Sequence, residues 1–161
     1  MILANTPLEP PNEAKFGVGA PWEAPELAGM RYLEMFKKIA EVAADHGILI
    51  MMAAHRLNPK AWPGNGLWYD AVTSEARVMQ SWNAISQLLC GQWNVFAADL
   101  QNEPWASSWG KNGGLANDWG LAAQRLGDNV LRTCARWLIF VEGVGYEPGA
   151  AECDGSGAGI W

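Results

Sequence analysis

Charge is scarce in this 161-residue chain: 11 Lys plus Arg and 17 Asp plus Glu make up 17% of it, against roughly a quarter of an average globular protein. The balance of -6 excludes the basic surface that a nucleic-acid backbone requires. Long apolar runs are missing too. None approaches the eighteen or so residues of a membrane span, and Met1 to Thr6 turns polar too soon for a signal peptide. Cysteine is limited to Cys90, Cys134 and Cys153. An odd count without a Cys-x-x-Cys spacing implies neither a zinc site nor a disulfide scaffold, and it leaves the redox compartment open. Of the two histidines, His46 precedes Gly47 and suits the dipole at a helix end. With no His-x-His or His-Glu-x-x-His, a metal centre built on His55, Asp99 and Glu103 is not expected. The glycines at 143, 145, 155, 157 and 159 lack the Gly-x-Gly-x-x-Gly spacing, so no dinucleotide or other cofactor is implied.

What is present is half hydrophobic, with ten Trp and 18 Gly, enough apolar surface for the core of a single domain. Residues 1–25 are rich in Pro and Gly and read as an extended loop segment. From about Glu26 a helix is expected, with Met30, Leu33, Phe36, Ala40 and Ala43 on one stripe and Gly47 as its cap. The apolar run Ile48 to Ala54 then reads as a strand buried on both faces. The pattern recurs twice: a helix over 74–89 before a strand over 95–100, and a helix over 118–134 before a strand over 137–141. Helices alternating with apolar strands predict an α/β fold with a parallel sheet.

Each strand ends in polar groups: His55-Arg56, then Gln101-Asn102-Glu103-Pro104, then Glu142-Gly143. The carboxyl ends of parallel strands are where such folds place their chemistry. Glu103 follows a buried strand and precedes a proline that stops the ladder, so its carboxylate is aimed out of the sheet. Nearby indoles would favour its neutral form, as a general acid needs. Asn102 and His55 share its address. Glu142 is read as a structural hydrogen-bonding group and Asp99 as a satisfied structural acid.

The tryptophans divide by position. Trp82 and Trp119 fall on helix stripes and Trp93 and Trp137 flank strands, so all four are expected in the core. Trp62, Trp68, Trp105 and Trp109 lie in the loops after His55 and Glu103. Flat rings beside a carboxylate and an amide suit the apolar faces of sugars, although one or two of the four are expected to staple loops instead.

At these residues the sequence resembles glycoside hydrolase family 5, whose acid/base glutamate closes a strand as Asn-Glu-Pro, here Asn102-Glu103-Pro104. The stretch Ile48 to Tyr69, with His55-Arg56 and Leu67-Trp68-Tyr69, and the stretch Trp137 to Val144 are similar to the endoglucanase-type members. The resemblance covers about residues 26–150. It implies that 26–161 form the central part of a catalytic (β/α)8 TIM barrel, about its third to fifth strands. It further implies that Glu103 is the acid/base in retaining hydrolysis of a β-1,4-glucan, that Asn102 bonds the 2-hydroxyl, that His55 orients groups in the same subsite, and that the enzyme is secreted. The family's acid two residues before the histidine is Ala53 here. The strand carrying the nucleophile glutamate has no counterpart, so the chain is expected to be incomplete and inactive alone. A non-catalytic carbohydrate-binding protein is the alternative. Self-association through open sheet edges is also expected, and a small nucleotide binder ranks last because the loop after the first strand is not glycine-rich.

Overall fold

The computed structural model describes residues 30–58, 64–110 and 114–144. Three helix and strand pairs follow in order: α1 (Tyr32–Asp45), β1 (Ile50–Ala53), α2 (Glu75–Leu89), β2 (Val95–Asp99), α3 (Trp119–Thr133) and β3 (Leu138–Phe140). The strands form a parallel sheet in the order β1-β2-β3. The α/β architecture expected from the alternating pattern is therefore present. The Pro-rich segment, Trp62, Cys153 and the glycine-rich tail lie outside the described residues.

Local chemistry sets the helix ends. Ser74 accepts the Arg77 amide and Asp118 the Leu121 amide, each N-cap contributing about 1 kcal/mol. Gly47 takes φ +69 just past α1, the left-handed conformation that glycine adopts at least cost. The start of α1 differs from the reading at Glu26: Met30 and Arg31 are not helical, and Glu34 accepts the Arg31 amide to open the helix at Tyr32.

The core lies between the helices and one face of the sheet. Met52, Ala98 and Leu100 join Phe36, Ala40, Val78, Trp82, Ile85, Leu89, Trp119, Leu126 and Val130 in one buried cluster. Gly127 brings α3 so close to the sheet that an added Cβ would lie 3.3 Å from Ile139. The opposite face carries the row Met51-Ala97-Leu138 and the row Ala53-Asp99-Phe140. There Met51, Leu138 and Phe140 are exposed. Among the strands only β2 is mostly buried, with Phe96 half-exposed, which corrects the expectation of strands buried on both faces: the helices cover one side of the sheet and leave the other open.

Two further expectations are corrected. Trp93 is 59% exposed rather than core, because it lies in the turn that leads into β2 rather than in the ladder. Cys90 and Cys134, the C-cap residues of α2 and α3, form a disulfide. The helices pack side by side, which brings their C-terminal ends to a Cα separation of 5.6 Å, within the range such a bond requires. Arg136 donates to the carbonyls of Cys90 and Gln92 beside it.

Reduction is expected to expose two further thiols to alkylation and to lower the melting temperature. For partners 44 residues apart, the chain-entropy contribution is about 4 kcal/mol. A rise in thiol count with no change in melting temperature would contradict that contribution.

Candidate active site

The backbone ladder runs on past the strands and gathers their ends into one corner. The Ala54 amide donates to Asp99, the Asn102 amide to Ala54, and the Leu100 amide to Phe140. His55, Asn102, Glu103 and Glu142 thereby arrive at the carboxyl end of the sheet. Among the described residues Glu103 is the one non-glycine with positive φ, at +47, a conformation that costs a residue with a Cβ about 1 to 2 kcal/mol. Its amide donates to Glu142 Oε2 at 2.8 Å, and its carbonyl accepts from the Trp105 amide. Glu103 is itself exposed, so the indole enclosure expected around it is not found. The Trp105 ring turns instead onto Gly66.

Glu142 plays the hydrogen-bonding role read from the sequence, whereas Asp99, read as fully satisfied, is satisfied at one oxygen only. Asp99 is 5% exposed, and its Oδ1 has no hydrogen-bond partner. Burial, then the charge of Glu142, then a hydrogen bond with the Glu142 carboxyl push its pKa from 3.8 to about 7. Two adjoining carboxyls cannot both ionise cheaply, so they share a proton that Asp99 carries and donates. Sequence reasoning missed this pair because residues 99 and 142 meet only through the strand register. His55, at the end of β1, has its pKa lowered by burial and by Arg56, against the raising influence of Glu103 and Glu142. Its neutral form is favoured.

The loops that follow β1 and β2 are fastened to one another. An added Cβ on Gly66 would lie 2.6 Å from the Trp105 ring. The Gly66 carbonyl accepts from the Ala106 amide and the Ser107 hydroxyl, and the Tyr69 hydroxyl donates to Ala116. Trp105 packs on Gly66 while remaining 48% exposed, and Trp109 is 60% exposed beside Gly120. These two rings are available to a ligand.

Trp68 is not, and its reading as a sugar platform is corrected. It is 1% exposed, lies 5.6 Å from the Trp119 ring, and donates its Nε1 hydrogen to Glu75. Arg125 grips the same carboxylate through two nitrogens and, ahead of the Trp68 bond, holds the Glu75 pKa down. Trp68 therefore pins the loop after β1 to α2 and α3. Its signal was available in the sequence: Glu75 lies seven residues on, in the first turn of a helix.

The raised Asp99 pKa sets a pH dependence of stability. Between about pH 4 and pH 7 the folded chain holds a proton that the unfolded chain releases. Stability therefore falls as pH rises through that window, and this contribution is lost above it. Asp99→Asn is expected to flatten the slope of melting temperature against pH relative to the parent chain. An unchanged slope would contradict the shared proton.

Comparison with known proteins bears on the same corner. The chain matches the model of the cellulase family, glycosyl hydrolase family 5, over residues 16–156. An endoglucanase of Paenibacillus polymyxa is 37% identical over 127 residues, which are 76% of this chain and 30% of that protein. The major extracellular endoglucanase of Xanthomonas campestris pv. campestris is 29% identical over 84% of this chain and 27% of its own length. Among solved structures, an endocellulase from Pyrococcus horikoshii in complex with cellotetraose aligns with a TM-score of 0.71 at 34% identity, over 77% of this chain and 36% of that one. The catalytic domain of the Xanthomonas enzyme aligns with a TM-score of 0.72 at 27% identity, over 81% and 37%. The chain spans about a third of the length of these relatives. With most of its own residues inside the family match, the chain belongs to glycosyl hydrolase family 5, the cellulase family, and its three strands and helices are a partial (β/α)8 barrel.

Proposed function

We propose that residues 26–161 are the central part of a barrel that hydrolyses β-1,4-glucan with retention of configuration, and that Glu103 is its acid/base. The observation that carries this reading is the position of Glu103, held in a left-handed backbone on an Asn-Glu-Pro corner by a hydrogen bond to the next strand's end. As an acid, Glu103 gives its proton to the glycosidic oxygen while a second carboxylate attacks the anomeric carbon. As a base, it takes a proton from the water that breaks the resulting ester. Asn102 bonds the 2-hydroxyl, and neutral His55 orients groups in the same subsite. Trp105 and Trp109 offer their faces to sugar rings, and Trp62 is assigned with them from its place in the loop after β1.

The second carboxylate is not assigned to Asp99 or Glu142, since these share a proton with each other and Glu142 is spent on the Glu103 amide. The nucleophile is read as absent from this chain because no segment resembles the family's strand that carries it, and the 161 residues alone are expected to bind cello-oligosaccharides without turnover. The unpaired outer edges of β1 and β3 among the described residues, with the exposed apolar face between them, support self-association of the isolated chain. The disulfide and the extracellular relative support secretion and a role in polysaccharide breakdown.

Replacing the matching third of the Paenibacillus polymyxa endoglucanase with these residues tests the acid/base role. The chimaera is expected to release reducing sugar from carboxymethylcellulose, and Glu103→Gln to lower that rate by roughly 10²- to 10⁴-fold. An unaffected rate contradicts the reading, as does release of sugar by the 161-residue chain alone. The tryptophans separate in the same way. Trp105→Ala is expected to weaken cello-oligosaccharide binding at little cost in stability, whereas Trp68→Ala destabilises by about 3 to 5 kcal/mol through the cavity it leaves.

A further inference from the structure

A glutamate keeps a left-handed backbone only where its surroundings over-determine it. At Glu103 the enforcing group is Glu142, which is fixed at both ends. Its side-chain Oε2 accepts the Glu103 amide at 2.8 Å, and its backbone carbonyl accepts the Trp119 indole hydrogen at 2.7 Å. Trp119 is fully buried at the first turn of α3, so the tether reaches into the core. On its other side the Glu142 carboxyl takes a hydrogen bond from Asp99. Asp99 pairs in register with Phe140, two residues before Glu142, so side-chain alternation puts Asp99 and Glu142 on the same face of the sheet.

We propose that Glu142 is a positioning residue for Glu103: by accepting its amide, the Glu142 carboxylate holds the left-handed backbone that sets the direction in which the Glu103 side chain leaves the sheet. The inference rests on the reading of Glu103 as the acid/base. Asp99 completes the device by supplying the proton that lets two carboxyls adjoin. Among the described residues, the titratable groups that face the pair are His55 from the end of β1, which interacts with Glu142 and in turn with Arg56, and Glu103 from the end of β2. Ionisation of Asp99 near neutrality sets two like charges against each other and loosens the Glu142 side chain, so the hold on Glu103 is full in mild acid and weakens as pH rises.

Amide NMR of the 161-residue chain tests this without turnover. The Glu103 amide proton is expected to be shifted downfield, protected from exchange and responsive to pH with a midpoint near 7. Glu142→Gln keeps an acceptor oxygen and should retain the protection while weakening the pH response, since the like charge beside Asp99 is gone and only its burial remains. Glu142→Ala should speed exchange of that amide by roughly ten- to hundredfold, the equivalent of one hydrogen bond to a charged group. Unchanged exchange in Glu142→Ala, or a Glu103 signal in the parent chain that ignores pH across neutrality, overturns the proposal. If Glu142→Ala does not fold, the parent titration and Glu142→Gln decide it. A failed acid/base assay leaves this contact standing, and a failed amide result leaves the acid/base reading standing, so the two outcomes are distinguishable.

Discussion

The structure depends on the ladder that β2 makes with both neighbours. β1 and β3 pair with β2, in register from Ile50 with Val95 to Asp99 with Phe140, and all three helices pack against the sheet that β2 centres. Its residues Val95, Ala97 and Ala98 are fully buried. Small side chains at 97 and 98 let the neighbouring strands and the helices close in. Because the ladder continues through Ala54, Asn102 and Leu100, the register fixed in the core is the register of the corner where the strands end. A slip of one residue would invert every side chain on the slipped strand and separate Asp99 from Glu142.

From that constraint the chemistry follows in layers. The strand ends deliver a histidine, an amide and three carboxyls to one edge. Two of the carboxyls pair, since burial makes a shared proton cheaper than two charges, and the pair holds the backbone of the third. Glu103 is left exposed at the corner, with Trp105 and Trp109 presenting ring faces nearby. The loops stay in place by different means: Trp105 rests against a glycine, Tyr69 bonds the Ala116 carbonyl, and Trp68 is buried and bonded to an ion pair that joins α2 and α3.

Much of this was legible in the sequence, for identifiable reasons. The apolar stripes placed α2 and α3 to within a residue at each end, because helical periodicity is a local signal. The apolar run Val95 to Leu100 read as a buried strand, one residue longer than the observed β2, and Asn102-Glu103-Pro104 named the corner. What the sequence concealed depends on the approach of distant residues. Cys90 and Cys134 have no telling spacing, and their bond becomes apparent only once α2 and α3 lie side by side. Trp68 and Trp105 sit in similar loops, yet one is buried by Glu75 and Trp119 while the other rests on Gly66. The left-handed backbone of Glu103 arises from a carboxylate 39 residues further on, and no local pattern signals it.

The central claim is that this corner is where a glucan is held for proton transfer at Glu103. The most direct measurement is a crystal structure of the chain with a cello-oligosaccharide bound. The account predicts a glycosidic oxygen within hydrogen-bond distance of the Glu103 carboxyl and a sugar ring lying over Trp105. An ordered oligosaccharide bound elsewhere on the chain, with the Glu103 corner empty, would contradict it.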